Sequence, residues 1–431
     1  MNHTTTRRQF LQQVAAFSAS VTLTRSAFAA NDKIQVGIVG LGSRGFNLLD
    51  AFLTHPDAQI VALCDVHPLH HRDLLWGKGR QFGLTPAAEQ VKKATGSNPF
   101  VTPNYEDLCA RDDLDVIVVA TPDHWHALCT MNALKAGKDV YCEKPVTHLF
   151  REGQLVIEEI AKQKAVFQTG SQQRSDPLFH QALGLIEAGR VGKLERIEVG
   201  LPGGYPEPQG ETAITDIPYG LDYDRWCGPA PKLPYMRARH HRWWRGHTAY
   251  GGGVLMDWIG HHNDIAQLSL GTKGPKRVTA VGWEFPETPV YNTPRDYTIA
   301  CEYDGGVTST ISNANTQGVK WFGEEGWVYV RRGKLEASNS DWLKGLEKPS
   351  GPEATIPHVR NFLDCVKSRE TCIAPAHEAH RSITPGHLGY VSSKLQRPLN
   401  WDPEQEVIVD DKEADALLKA VAYREGFSLP G

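Results

Sequence analysis

The stretch Ile34-Gln35-Val36-Gly37-Ile38-Val39-Gly40-Leu41-Gly42-Ser43-Arg44-Gly45 decides the fold of the N-terminal part of this chain. An apolar, β-favouring run is followed at once by GxGxxG and then by residues 46–53, whose spacing is helical. Gly40 permits a tight turn, Gly42 lets the backbone approach a pyrophosphate, and Gly45 lets helix and strand pack closely. The expected dinucleotide contacts are Gly40, Leu41, Gly42, Ser43, Arg44 and Gly45.

A second strand supports this interpretation. Residues 59–64 are β-favouring and end in Asp65, about 20 residues past the last glycine, where the dinucleotide fingerprint expects an acid. Such a carboxylate accepts from both ribose hydroxyls and repels a 2′-phosphate. The sequence therefore favours NAD(H) over NADP, although the positive charge of Arg44 nearby works against that preference. Tight binding is expected for a separate reason, because a protein exported in its folded state must carry its cofactor with it.

Two further strands, 116–120 and 139–142, are predicted on either side of a helix at 127–136. Each is followed by a polar motif, TPDHWH at 121–126 and EKP at 143–145. Ligands bind outside the carboxyl ends of the strands in an open parallel sheet, so both motifs should border the cofactor. The residues expected there are Thr121, Pro122, His126, Glu143 and Lys144.

Residues 251–265 have apolar positions that fit a helix. Asp257, His261 and Asp264 are separated by four and three residues and so share one face of it. An acid beside an imidazole can fix its tautomer and orientation. Charged residues at this spacing are also common on exposed helix faces, so the pattern alone does not establish a catalytic pair.

The succession GLGSRG, the Cys-Asp ending the second strand, TPDHWH and EKP resembles the Gfo/Idh/MocA oxidoreductases, and the similarity extends through residues 224–231 and 251–262. The resemblance implies an α/β Rossmann domain plus an α+β domain with an open, mostly antiparallel sheet. That sheet would carry the substrate face and often an oligomer contact, so a homo-oligomer is expected. The predicted division is residues 31–150 and 151–431, with the C-terminal segment able to pack back on the Rossmann domain.

The resemblance also assigns roles. Lys144 matches the family's EKP lysine, and Asp257 and His261 match the acid and histidine of the second-domain helix. We expect Lys144 and His261 to be the acid–base pair, with Asp257 orienting the imidazole. Either Lys144 is neutral in the site and serves as base, or it donates a hydrogen bond and His261 takes the proton. Glu143 and Trp226 are placed with the cofactor.

Aromatic and polar side chains suited to a sugar lie in or beside these motifs, since rings stack on carbohydrate C–H faces and polar groups bind hydroxyls. The expected substrate contacts are Trp125, Gln173, Arg174, Tyr250 and His262. The Pro-, Gly- and aromatic-rich stretch 202–245 is too long for a simple connector and is expected to line or cover the cleft.

A metal site is not predicted. Asp257, His261 and His262 could ligate one, but adjacent histidines point to different faces of a helix and no spacing marks a further ligand. Three more histidines are expected in a solvated turn and helix start: His67, His70 and His71.

The N-terminal residues 1–30 are typical of a Tat signal peptide. Arg7 and Arg8 precede an apolar run at 14–23, which is shorter than the roughly 20 apolar residues of a spanning helix, and the small residues Ala27 and Ala29 follow. We therefore expect an exported, periplasmic protein without stable membrane insertion.

Composition narrows the remaining possibilities. The net charge is −4 with no basic stripe, so nucleic acid is not an expected partner. The eight cysteines form no CxxC pair and are expected to be free thiols, with Cys365 and Cys372 as the two that could bridge.

Three functions remain open. The leading one is NAD(H)-dependent oxidation, or its reversal, of a secondary hydroxyl on a sugar or glycoside. The alternative is a glycosidase that oxidises a hydroxyl transiently, eliminates the aglycone, adds water and reduces the product back. The third is a non-catalytic sugar- or cofactor-binding protein. The sequence does not name the sugar or the carbon attacked.

Overall fold

The first sheet is parallel and contains six strands in the order β5-β2-β1-β6-β7-β8. In chain order, the strands of this half are β1 (Ile34–Val39), β2 (Ala58–Cys64), β3 (His70–His71), β4 (Gln81–Phe82), β5 (Phe100–Thr102), β6 (Val116–Val119), β7 (Asp139–Cys142) and β8 (Phe167–Thr169). β3 and β4 form a separate two-stranded ribbon. The chain leaves β1 for β2 on one side and returns to β6 on the other, so the carboxyl end of β1 lies at the switch point where such sheets bind ligands.

The computed structural model describes residues 33–71, 79–271, 274–347 and 353–430. The predicted signal peptide, residues 1–30, lies outside them. The helices of the first half are α1 (Ser43–Leu53), α2 (Leu84–Thr95), α3 (Tyr105–Cys109), α4 (His126–Lys135) and α5 (Phe150–Gln163). α1 buries Phe46, Leu49 and Phe52 at helical spacing, which anchors its first turn above β1.

The second sheet contains nine strands in the order β15-β14-β13-β9-β12-β11-β10-β16-β17. Its strands are β9 (Leu194–Gly200), β10 (Arg277–Glu284), β11 (Asp296–Glu302), β12 (Thr308–Ser312), β13 (Gly318–Gly323), β14 (Gly326–Arg331), β15 (Lys334–Ala337), β16 (Leu399–Asp402) and β17 (Val407–Ile408). Every pairing is antiparallel except that of β9 with β12. The predicted fold class, a Rossmann sheet plus a mostly antiparallel α+β sheet, is confirmed.

The helices of the second half are α6 (Pro177–Glu187), α7 (Tyr223–Cys227), α8 (Gly253–Leu270), α9 (Thr355–Ser368), α10 (Ala376–Leu395) and α11 (Lys412–Leu418). α10 contains Pro385, nine residues after its first residue, although proline is commonest in the first turn of a helix. Next to the proline, the Thr384 hydroxyl donates to the carbonyl of His380 at 2.8 Å.

Helix α9 packs against α1 although more than 300 residues separate them in the chain. Asp57, just before β2, accepts from Arg360 at 2.7 Å and from Lys367 at 2.6 Å. Arg369 pairs with Asp139 at the start of β7. A helix from the C-terminal part of the chain thus covers the first sheet.

No helix in the described ranges is long and apolar enough to cross a membrane. All eight cysteines are free thiols, including Cys365 and Cys372.

A buried ion pair fixes α8 to its surroundings. Arg174 donates to both carboxylate oxygens of Asp264, at 2.6 and 2.7 Å, and also pairs with Glu378. The Asp264 carboxylate also accepts from Ser382 of α10 at 2.6 Å. The expected sugar contact by Arg174 is therefore wrong, because this guanidinium is fully engaged inside the fold.

We predict that Arg174→Ala lowers the free energy of unfolding by about 3–5 kcal/mol, because it leaves Asp264 buried without its cation. Arg277→Ala is the matched control, since Arg277 is 42% exposed and lies 3.7 Å from Glu302, and it should cost less than about 1 kcal/mol. Urea denaturation measures both. Equal losses for the two variants would contradict the structural role given to Arg174.

Candidate active site

A cavity of about 450 Å³ opens at the carboxyl edge of the first sheet. The residues after β1, β2, β6 and β7 form one side, and α8 together with the irregular segment 202–245 forms the other. From that segment come Leu221, Arg225, Trp226, Arg237, His241, Arg242, Trp244 and Arg245. The stretch expected to border the cleft therefore does line it.

The glycine turn is shaped for a dinucleotide. Gly40 has φ +89°, and a Cβ there would lie 2.7 Å from the backbone of Ala120. A Cβ on Gly45 would lie 2.0 Å from the carbonyl oxygen of Gly40, whereas one on Gly42 would meet nothing within 4 Å. Gly40 and Gly45 are therefore required by the turn itself. Gly42 leaves open space at the N-terminus of α1, where free N–H groups can bind phosphate.

Asp65 is held at the end of β2 by two backbone N–H groups. Leu41 donates to one carboxylate oxygen at 2.6 Å and His67 to the other at 2.9 Å. Burial raises the pKa of Asp65 to about 6 despite these bonds. Asp65 lines the cavity, while the side chain of Leu41 is buried and does not, so Leu41 positions the acid through its backbone.

Arg44 and Glu143 form an ion pair across the cavity wall, with 2.7 Å between Nε and Oε1. Arg44 also donates to the Thr355 hydroxyl at 3.1 Å. Burial opposes its charge, but Glu143 outweighs burial and raises the pKa of Arg44. Because Glu143 compensates this cation, Arg44 no longer argues against NAD.

The expectation of a solvated turn and helix start after Asp65 is wrong for His67 and His70. His67 is buried, and His70 begins the short strand β3, whose second residue, His71, is exposed. The ring of His70 stacks on that of His241 with 3.9 Å between centroids. His241 comes from the irregular segment, and tertiary packing alone brings it to this end of the cavity.

His126 joins the two strand-end motifs. Its Nδ1 lies 2.7 Å from the Pro145 carbonyl oxygen and its Nε2 lies 2.9 Å from that of Thr121. Both ring nitrogens thus bond backbone carbonyl oxygens, so His126 stabilises the cavity wall by linking the two motifs. Ser43, Thr121 and Pro122 also line the cavity.

Lys144 and Asp257 meet across the cavity. The ammonium of Lys144 donates to Asp257 Oδ1 at 2.6 Å and to the Asp257 carbonyl at 2.8 Å. Arg245 Nε lies 3.0 Å from the same Oδ1. Burial raises the pKa of Asp257, but the charges of Arg245 and Lys144 outweigh it and leave the pKa well below its ordinary value. Asp257 is therefore a permanent anion.

His261 also lines the cavity, yet Asp257 does not orient it. No hydrogen bond joins the two side chains in the described part of the chain, and His261 Nδ1 has no partner there. The expectation that Asp257 fixes this imidazole is wrong, because the carboxylate turns to the two cations instead. Burial, then Lys144 and Arg332, lower the pKa of His261 well below its ordinary value, so the ring is neutral.

Asp123, the acid of the TPDHWH motif, is the fourth charged residue of this part of the cavity, with Lys144, Arg245 and Asp257. Asp123 is 2% exposed and lines the cavity, and burial raises its pKa to about 7. We call Asp123, Lys144, Arg245 and Asp257 the charge cluster. Sequence reasoning selected neither Asp123 nor Arg245, although Asp123 lies in a motif that it quoted.

The aromatic and polar residues expected to contact substrate separate into two groups. Trp125 and Trp226 line the cavity, and Trp125 Nε1 donates to the Trp226 carbonyl at 3.1 Å. Tyr250 and His262 do not line it, because the Tyr250 hydroxyl donates to the Pro231 carbonyl and His262 Nδ1 lies 2.8 Å from that of Gly200.

Gln173 is likewise behind the cavity wall. With its amide oriented to satisfy both groups, it donates to the backbone carbonyl of His261 at 2.9 Å and accepts from Arg332. Its role is therefore to support the helix that carries His261. Across the described residues, no group of three or more His, Cys, Asp or Glu side chains is arranged to hold a metal ion.

We predict that Gly42→Ala and Gly45→Ala fail differently. Gly42→Ala should leave thermal stability unchanged but weaken NADH binding about tenfold or more, because its methyl group fills only the space left for the ligand. Gly45→Ala should lower the melting temperature, because its Cβ meets the Gly40 carbonyl. Thermal unfolding and NADH fluorescence titration measure the two effects. A stable Gly45→Ala protein with normal affinity would contradict this account of the turn.

The chain matches known proteins in sequence and in fold. Residues 34–171 match the model of the oxidoreductase family's NAD-binding Rossmann fold, and residues 206–428 match that family's C-terminal alpha/beta domain. The WlbA dehydrogenase of Bordetella pertussis, solved with NADH and UDP-GlcNAcA, is similar over 86% of this chain and 99% of its own, with TM-score 0.63 and 20% identity. The aldose-aldose oxidoreductase of Caulobacter crescentus, solved with glycerol, covers 85% and 99% with TM-score 0.63 and 16% identity.

A curated relative is the glycosyl hydrolase family 109 protein of Saccharopolyspora erythraea, which is 36% identical over 119 residues, 28% of this chain and 24% of its own length. The first three relatives of that name are matched over 24% to 37% of their length. At this identity the solved structures establish only the fold. The family is shown by the model of the C-terminal alpha/beta domain, which alone covers more than half of the chain. The chain therefore belongs to the Gfo/Idh/MocA oxidoreductase family and has its NAD-binding Rossmann domain.

Proposed function

We propose that this protein is an NAD(H)-dependent oxidoreductase that acts on a secondary hydroxyl of a sugar or glycoside. The observation that carries the proposal is the contact of Lys144, at the end of β7, with Asp257 of α8 in the same cavity that Gly42 and Asp65 border. A redox site of this kind needs a dinucleotide cradle and proton-handling groups in one space, and the cavity holds both.

The residues at the glycine turn fit the cofactor. Gly42 leaves room for the pyrophosphate at the start of α1, and Asp65 offers carboxylate oxygens to the adenosine ribose. When bound, the nicotinamide supplies the hydride acceptor for oxidation or the hydride donor for reduction. We propose that NAD(H) is held tightly, because the strand ends of the parallel sheet, the segment 202–245 and α8 all contribute residues to the cavity wall.

In this proposal, residues of the charge cluster bind and orient the reacting hydroxyl of the substrate. The Lys144 ammonium, fixed by Asp257, can donate to the hydroxyl that reacts, and Arg245 keeps Asp257 ionised. His261 is neutral and presents a ring in the same wall, where it can hydrogen-bond a sugar oxygen. Trp125 and Trp226 give apolar surface for carbohydrate C–H groups.

The proposal is tested by purifying the protein, recording whether nicotinamide copurifies, and screening mono- and disaccharides for its reduction. Lys144→Ala should lower kcat by about 100-fold or more while NADH still binds, because the variant removes a hydrogen-bond donor and a charge but leaves the glycine turn intact. Lys92→Ala, on the exposed face of α2, is the control and should leave turnover unchanged. Normal turnover in Lys144→Ala contradicts the assignment, and ligand binding without any wild-type turnover indicates a non-catalytic binding protein instead.

A second candidate is a glycosidase that oxidises its substrate only transiently. The partial match to proteins named glycosyl hydrolases favours it. Net chemistry separates the two, because a glycosidase releases free sugar from a glycoside with no net change in bound NADH. Accumulation of NADH in proportion to the sugar consumed supports the dehydrogenase.

We also propose that residues 1–30 export the folded protein through the Tat pathway to the periplasm. The double substitution Arg7→Lys and Arg8→Lys should hold the protein in the cytoplasm of a Gram-negative host, because the pathway reads the arginine pair. Arg25→Lys in the same segment is the control and should not change export. Cell fractionation measures the distribution, and periplasmic accumulation of the double variant would contradict the proposal.

A further inference from the structure

Asp123 is a buried carboxyl group that its neighbours satisfy only in part, because the Gly252 backbone hydrogen-bonds it while Oδ2 has no partner among the described residues. It begins the short 3-10 turn Asp123–Trp125 after β6 and is 2% exposed. Its Oδ2 has no hydrogen-bond partner among the described residues, although the side chain lines the cavity. A buried carboxylate oxygen without a donor is costly, so such a group either carries a proton or meets a donor on a bound molecule.

The surrounding chain is shaped to place this carboxyl in the cavity wall. A Cβ on Gly251 would lie 2.9 Å from Asp123 Oδ2 and 2.5 Å from the ring of Trp244. The absence of a side chain at Gly251 therefore lets α8, the carboxyl and the indole approach one another. Asp123 is thus fixed beside Asp257 and Lys144 by packing.

The other groups of the site are poorly suited to exchange a proton. Asp257 stays ionised between two cations, and His261 is too weakly basic because it is buried beside Lys144. Lys144 donates two hydrogen bonds as an ammonium, and loss of a proton would weaken its contact with Asp257. Of these cavity residues, Asp123 is the one left with an open oxygen.

We propose that Asp123 is the acid–base catalytic residue of this site, with its carboxylate taking the proton of the substrate hydroxyl during oxidation and its acid form returning it during reduction. The inference rests on the proposed function. In oxidation the substrate O–H bond breaks, its proton bonds to a carboxylate oxygen, and its electron pair becomes the second bond of the carbonyl. The hydrogen on carbon leaves with its bonding pair as hydride to the oxidised nicotinamide, so no further oxidant is needed.

The charges around Asp123 suit this role. Lys144 at the end of β7 and Arg245 in the turn His241–Gly246 favour its ionised form, whereas Asp257 on α8 and Glu152 on α5 disfavour it. Burial is the largest influence, and the balance raises the pKa of Asp123 to about 7. An acid–base group is most effective when its pKa lies near the working pH.

The test is the pH dependence of kcat/KM for sugar oxidation in the wild type and in Asp123→Asn. Because oxidation needs the carboxylate, wild-type kcat/KM should rise with pH through about 7. Asp123→Asn should lower kcat/KM about 100-fold or more and abolish that inflection. NADH affinity should stay the same, since the substitution conserves shape and lies away from the glycine turn.

A second measurement does not depend on turnover. Infrared difference spectra of the wild type should show protonated carboxyl absorption that titrates near neutral pH, and Asp123→Asn should remove the Asp123 component of it while the Glu152 component remains. Glu152→Gln is the matched control, because Glu152 is another buried acid whose pKa is raised to about 7 by burial, but it does not line the cavity. That variant should keep the inflection in kcat/KM. Asp123→Ser serves as a second variant if Asp123→Asn folds poorly.

The possible failures are distinguishable. Absence of turnover in the wild type with every sugar contradicts the proposed function, whatever the infrared spectra show. Wild-type turnover together with an unchanged inflection in Asp123→Asn or Asp123→Ser overturns the role of Asp123 alone. Loss of the inflection and of the Asp123 infrared component in the Asp123 variants, with both retained in Glu152→Gln, supports it.

Discussion

The contact between the Lys144 ammonium and the Asp257 carboxylate, 2.6 Å apart, is the interaction on which the rest of the site depends. One partner stands at the end of a strand in the parallel sheet, and the other on the long helix that packs against the antiparallel sheet. Because the contact is largely buried, removing one partner would leave an uncompensated charge, which is costly. It therefore sets how the two layers meet and where the cavity lies.

The local electrostatics follow from this contact. Two cations keep Asp257 ionised. Burial, aided by that fixed anion, raises the pKa of Asp123, and burial together with the nearby positive charge lowers the pKa of His261. Two buried acids in the same cavity wall thus have pKa values shifted in opposite directions. The cations pair directly with Asp257, whereas burial outweighs their influence on Asp123.

Much of this arrangement could be predicted from sequence, because parallel sheets place ligands at strand ends. The glycine turn, Asp65 and Lys144 follow directly from that rule and all line the cavity. Helix spacing correctly put Asp257 and His261 on a common helix, but spacing does not say which neighbour a carboxylate will choose. The Asp257 carboxylate pairs with Lys144 at the end of β7 and does not bond His261 on its own helix.

The residue roles that were not predicted, or were predicted wrongly, have the same physical origin. Arg245 and His241 lie in a stretch without periodicity, whose path is set by tertiary packing rather than by local preference. Arg174 and His262 are polar residues near motifs, yet they serve buried partners inside the fold. The protonation of Asp123 depends on burial and on charges from distant parts of the chain, which no local pattern records.

The packing of α9 on α1 bears on how the protein is made. Arg360 and Asp57 are 303 residues apart, and Arg44 in the glycine turn is bonded to Thr355. During synthesis the nucleotide-binding layer emerges early, but it remains uncovered until the ribosome has released the chain past Arg369. A shortened polypeptide ending before that point would expose apolar surface on α1, so the covering of the nucleotide-binding layer depends on residues more than 300 positions further along the chain.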